Sequence, residues 1–146
     1  MIEVEGVAAG IVGADAACKS AEVQLMGWES IGGYTTVFFS GSISDVGAAL
    51  RRGEQAAREV VEHVVAVPLT RPEPTCRNFV TVPVDPEAPV YPGALGLLET
   101  RGYGAHIPAN DSMVKTAAVA VRNVLTVHNR VVCTLIEGDV GAVDTE

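Results

Sequence analysis

The chain has 146 residues and a mass of 15.2 kDa, room for one ordinary domain or two small ones. It is 48% hydrophobic, with a mean hydropathy of +0.28, enough to bury a core, and its ten basic against eighteen acidic residues leave a net charge of −8. That balance argues against nucleic acid and anionic membranes as partners, and no apolar run approaches the roughly 20 residues of a membrane helix.

The opening MIEVEGVAAG has no basic flank before an apolar stretch, so no secretory leader is expected. Cys18, Cys76 and Cys133 are odd in number and widely spaced, which does not suit a disulfide framework and points to a reduced, cytosolic protein. Residues 2–5 predict a short strand. A helix follows over 11–20, where Ile11, Ala14, Ala17, Cys18 and Ala21 recur at helical spacing. Residues 22–28 and 34–40, rich in β-branched and aromatic side chains, predict two strands turned by Ser30-Ile31-Gly32-Gly33. Ser42-Ile43-Ser44-Asp45 opens a second helix with a capping pattern, and Val46, Leu50, Gly53, Ala57, Val60 and Val61 form its apolar face. A last strand over 63–69 is closed by Arg71-Pro72, giving the order β-α-β-β-α-β.

The sequence then repeats. At a shift of 96, Glu3 falls on Glu99, Gly6 on Gly102, Asp15 on Asp111 and Lys19 on Lys115; after a one-residue insertion the shift is 97, and Gly41 falls on Gly138. Copy 2 predicts strands at 97–100, 119–127 and 130–137, with a helix starting at Ile107-Pro108, where proline suits a first turn. It enters a second helix at Asp139. A full second copy would run roughly 25 residues past Glu146, so it is expected to be truncated, without its last helix and strand. The expected organisation is copy 1 over 1–74, a connector over 75–93 held extended by Pro83, Pro86, Pro89 and Pro92, and an incomplete copy 2 over 94–146.

Four motifs carry a family resemblance: ALGLLETRG (94–102), NDSMVKTA (110–117), GDVGAV (138–143) and GWESIGG (27–33). With these motifs in order and in duplicate, the sequence resembles the shell proteins of bacterial microcompartments, in particular their tandem class. The resemblance implies an α+β fold of two ferredoxin-like domains, trimers that mimic hexamers, and flat tiles meeting other shell proteins around enzymes. It places Lys19, Lys115 and Arg71 at tile edges. Ser30, Ile31, Gly32 and Gly33 would line a central pore, joined by His128 and Asn129 from copy 2, where Val127-His128-Asn129-Arg130 replaces the glycine-rich loop. Glycine-rich backbone converging on a symmetry axis favours anions, so small polar or anionic metabolites are the expected cargo.

The remaining signals are weaker. Cys18 and Cys133 read as small buried hydrophobes, and neither pore loop holds a cysteine for an iron–sulfur cluster. No histidine pair has metal-ligand spacing, His63 reads as a plain strand residue, and no nucleotide-binding glycine motif is complete. The expectation is therefore a structural protein without a cofactor rather than an enzyme. The competing reading is a ferredoxin-like regulator that binds a small ligand between its two copies.

Overall fold

A computed structural model describes residues 1–90, 92–127 and 130–144, which fall into two compact units, Met1–Pro86 and Glu87–Glu146. In the first, β1 (Ile2–Glu5), α1 (Ala8–Ser20), β2 (Val23–Ile31), β3 (Tyr34–Gly41), α2 (Ile43–Arg58) and β4 (Val64–Ala66) follow in the predicted order. The sheet runs β4-β1-β3-β2 and is extended beyond β2 by β5 (Val82–Pro83), and its neighbours pair antiparallel. Ile2, Val4, Ala9, Ala14, Val37, Leu50, Ala57 and Val64 make the core between sheet and helices.

The α1 stripe differs from the expected one. The buried residues are Ala8, Ala9, Gly10, Gly13, Ala14 and Ala17, whereas Cys18 is exposed and Ile11 half-buried. The reason is the crossing with α2. A Cβ on Gly53 would stand 2.7 Å from the Gly13 carbonyl oxygen and 2.5 Å from Ile2 Cδ1. Only very small side chains let two helices approach this closely, so the smallest residues rather than the most apolar ones face inward. α2 is capped as predicted, with the Asp45 N–H donating to Ser42 Oγ at 3.1 Å. It stops at Arg58, which leaves Val60 beyond it and 48% exposed, and β4 is shorter than the strand expected over 63–69.

The prolines do not keep the whole connector extended and apart. Residues Pro74–Phe79 form a 3-10 turn, and β5 (Val82–Pro83) pairs with the outer edge of β2 opposite Gly27 and Trp28. Pro83 is tolerated because an edge strand need not donate on both sides. The strap depends on Gly27, where a Cβ would stand 2.3 Å from the Val82 carbonyl oxygen. Gly27→Val is expected to detach the strap and cost about 1–3 kcal/mol of unit stability. Faster amide exchange at Val82 and Val84, with α1 and α2 still protected, is the expected readout.

The second unit holds β6 (Ala94–Arg101), α3 (Tyr103–Thr116), β7 (Ala120–Val127), β8 (Val131–Gly138) and a single turn α4 (Val140–Val143), with sheet order β6-β8-β7. α3 begins earlier than expected. Gly102, at φ 76°, turns the chain directly into the helix, so Pro108 lies inside it and the Gly104 carbonyl loses its usual N–H partner. The bulge that shifts register between Leu25 and Gly27 in β2 recurs between Val121 and Asn123 in β7. The duplication thus extends to an irregularity of the backbone.

Candidate functional site

The residues singled out by sequence fall at two β-hairpin connections, at the C-terminal ends of α1 and α3, and in the segment that follows β4. In the first unit Ile31 and Tyr34 are paired across the ladder, so the connection is Gly32-Gly33 alone, with φ of 58° and 91°. A two-residue turn of this hand matches strand twist and requires positive φ at both positions, which glycine alone accepts without strain. Ser30 and Ile31 are therefore strand residues and not loop residues. Ser30 Oγ donates to the Tyr34 carbonyl at 2.9 Å, while Ile31 stands 72% exposed. In the second unit Val127 pairs with Val131, which locates the one-residue insertion between them. His128 and Asn129 lie outside the described residues.

Each hairpin is tied to the turn between its unit's first strand and first helix. The Gly6 N–H donates to the Gly33 carbonyl at 2.7 Å, and the Gly102 N–H donates to the Arg130 carbonyl at 2.9 Å. Gly6 and Gly102 both hold positive φ, at 81° and 76°. This tether is the part of the site that sequence reasoning missed. Its signal was present, because Gly6 and Gly102 align in the repeat.

The expected edge residues are exposed. Lys19 Nζ meets Asp15 Oδ2 at 2.6 Å, and Lys115 Nζ meets Asp111 Oδ2 at 2.6 Å, both one helical turn apart. The repeat therefore preserves an ion pair, and the acid placed N-terminal to the base is the favourable order. Arg71 is exposed and is the one non-glycine residue with positive φ among those described, at 53°. Its backbone strain precedes Pro72, a position that already disfavours helical geometry.

Two histidines have partners that spacing did not reveal. His63 lies just before β4, its ring tilted on Tyr34 with centroids 4.9 Å apart and its Nε2 3.4 Å from Glu3 Oε1. His106 is 3% exposed, with Nδ1 3.0 Å from Thr100 Oγ1 and Nε2 2.7 Å from Thr134 Oγ1. Because the Thr100 hydroxyl donates to the Gly102 carbonyl at 2.9 Å, it accepts from Nδ1–H. In that tautomer Nε2 accepts from the Thr134 hydroxyl. The repeat places Gly10 at position 106, Val4 at 100 and Val37 at 134. Threonine has the shape of valine, so two hydroxyls have been exchanged in to satisfy an imidazole that fills the space of a missing side chain.

Glu137, almost buried, is bound by Arg122 Nε at 2.6 Å, and Arg122 is the bulge residue of β7. Among the described residues no group of three or more His, Cys, Asp or Glu is placed to hold a metal ion. Cys133 is fully buried, and burial, helped by Glu99, pushes its thiol up to about 12. Burial and Asp15 raise the Cys18 thiol as well. Cys133 binds its proton more tightly folded than unfolded, so its contribution is whole below the ordinary 9.0 and is lost as pH climbs toward about 12. Thiol labelling is expected to modify exposed Cys18 in the native protein and Cys133 only after unfolding, with unfolding easier above pH 9.

The BMC domain family model matches residues 1–69 and 94–145, one match in each repeat. The carboxysome assembly protein CcmO of Synechococcus elongatus is 34% identical over 114 residues, covering 73% of this chain and 41% of that protein. CcmO of Synechocystis is 31% identical over 144 residues, covering 91% and 48%. The carboxysome shell protein CsoS1 of Prochlorococcus marinus is 40% identical over 84 residues, covering 53% and 82%. Among solved structures, a microcompartment protein from Desulfitobacterium hafniense aligns over 99% of this chain and 79% of its own, with 25% identity and TM-score 0.44. The chain spans about half the length of the CcmO relatives it matches. With the family domain recognised twice, in units that repeat the same bulge, tether and ion pair, the chain belongs to the BMC-domain family of bacterial microcompartment shell proteins.

Proposed function

We propose that the protein is a structural shell subunit whose two domains stand for two sixths of a tile, three chains closing into a pseudohexamer. Its place is the shell of a bacterial microcompartment in the cytoplasm, beside other shell proteins, and its role is structural rather than catalytic. The observation that carries this reading is the double match to the family domain. Closed cyclic symmetry is the ordinary means by which small sheets with uncovered apolar surface bury it. The proposed domain limits are 1–74 and 94–146, with 75–93 joining them.

The proposed edge contacts are Lys19, Lys115 and Arg71. Each lysine stem is free to lie along a neighbouring tile while its ammonium stays hydrated. Since exposed ion pairs contribute only about 0.3–0.5 kcal/mol, Lys19→Ala with Lys115→Ala is expected to leave unfolding nearly unchanged and to abolish sheet formation. Sheets persisting in that double variant would remove the lysines from the edge.

The proposed pore lining is Ser30, Ile31, Gly32 and Gly33 with His128 and Asn129. Backbone N–H groups of the glycine turns would meet the permeant species, small polar or anionic metabolites. Conductance of purified protein in planar bilayers tests this: anion-preferring steps are expected, and cation preference or no conductance would overturn it.

A further inference from the structure

The two units carry opposite charge where their hairpins turn. In the first, Glu5 ends β1 and pairs with Tyr34, the residue that follows the Gly32-Gly33 turn. Glu29 lies on the neighbouring strand opposite Thr36, where the Thr81 hydroxyl donates to its carboxylate. In the second, Arg101 ends β6 and pairs with Val131, and Arg130 stands in the connection itself. The repeat makes this an exchange at matched positions. Glu5 answers to Arg101, Glu29 to Leu125 and Gly33 to Arg130, whereas Glu3 keeps its acid as Glu99. The first turn end therefore holds two carboxylates that the second lacks, and the second holds two guanidiniums that the first lacks. Arg101 and Arg130 are exposed, and Glu5 and Glu29 are half-buried.

Glu5 and Arg101 are also held alike. Each precedes the glycine, Gly6 or Gly102, whose N–H donates to the hairpin connection. Ile2 and Val4 fill the core, so alternation turns Glu3 and Glu5 to the sheet face away from the helices. In the second unit Thr100 meets His106 of α3, so Glu99 and Arg101 turn to the corresponding outer face. About the pseudo-sixfold axis proposed above, matched positions stand at equal height and radius. One charge shared by both units would there meet itself six times. The exchange replaces that repulsion with alternating sign.

We propose that Glu5 of one chain pairs with Arg101 of the next, and that this exchange of charge fixes the order of units about the ring. The partner is a second copy of this chain, and the inference rests on the three-chain reading above. Glu29 and Arg130 extend each field with the same sign. Contacts between two first units, or between two second units, set like charges together and are disfavoured. The head-to-tail contact of unlike surfaces, the kind that closes rings, is the one left favourable. Fields of exposed charges reach roughly 8 Å at physiological salt, so the choice is made as the units approach.

Sedimentation velocity of the whole 146-residue chain tests the pairing with Glu5→Arg, Arg101→Glu and the double exchange. At low salt each single reversal is expected to raise the concentration for half-assembly by about tenfold, and the double exchange to assemble better than either. Raising ionic strength from about 0.05 M to about 0.5 M is expected to weaken the parental trimer and narrow these differences. Glu5→Gln and Arg101→Gln, which remove a charge without adding one, are expected to give smaller losses and keep the test open should a reversal unfold its unit. Parental trimers that tolerate the single reversals, or a double exchange as poor as both losses summed, would overturn the pairing and leave the three-chain reading standing. A parental chain that forms no trimer at any concentration would overturn that reading and the pairing with it.

Discussion

Gly53→Leu is expected to unfold the first unit outright, with a loss of about 3 kcal/mol or more from overpacking. A Cβ at this position would already stand 2.5 Å from Ile2 Cδ1, 2.7 Å from the Gly13 carbonyl oxygen and 3.1 Å from Ala17 Cβ. A carbonyl in a helix cannot withdraw without distorting its own turn, and Ile2 is fully buried between neighbours. Alanine is the milder test. It gains about 0.5–1 kcal/mol of helix preference over glycine, yet the backbone clash remains, so a net loss is expected. Denaturation followed by the fluorescence of Trp28, the chain's single tryptophan and part of the same unit, reads both variants. A Gly53→Leu protein with an unchanged midpoint would show that the helices are not in close contact.

The second large effect is expected at Thr134. Thr134→Val keeps the side-chain volume but leaves the buried Nε2 of His106 without its hydroxyl partner, at a cost of about 1–3 kcal/mol. The same substitution made in a His106→Ala background should cost clearly less, because no nitrogen is then stranded. A coupling of about 0.5–3 kcal/mol is expected for residues in one network, measured through exchange of the α3 and β8 amides. Equal costs in both backgrounds would show that the imidazole and hydroxyl do not interact. Thr100→Val is expected to behave alike, since Thr100 accepts from Nδ1–H and donates to the Gly102 carbonyl.

Much of this architecture was legible in the residues. Element order, the α2 cap and the duplication follow from alternation, helical spacing and matched glycines, all local signals. The close helix crossing was not. Glycine and alanine weigh little in a hydrophobic stripe, so Ile11 and Cys18 appeared to define the inner face, while the structure buries Gly10, Gly13 and Ala17. What decided the matter was the distance of approach, which depends on Gly53, forty residues away in the chain. The connector escaped for a related reason. Its prolines exclude a helix, but whether Val82 finds β2 depends on the missing side chain of Gly27.

The candidate site was legible where the repeat could be read as a comparison. Paired Lys19 and Lys115 retained their acids, and Gly6 and Gly102 retained their turns. The exchange of Val4, Gly10 and Val37 for Thr100, His106 and Thr134 was visible in the same alignment. Its meaning emerged only once the three side chains were seen to touch. His63 is similar, since its contact with Glu3 joins residues 60 positions apart.

Electron microscopy of the purified chain at assembly concentration tests the central claim most directly. Rings of three chains with sixfold-like outline and a central hole, laid edge to edge in sheets or curved layers, are expected. Particles of one or two chains at every concentration, with no ring about an axis, would contradict it.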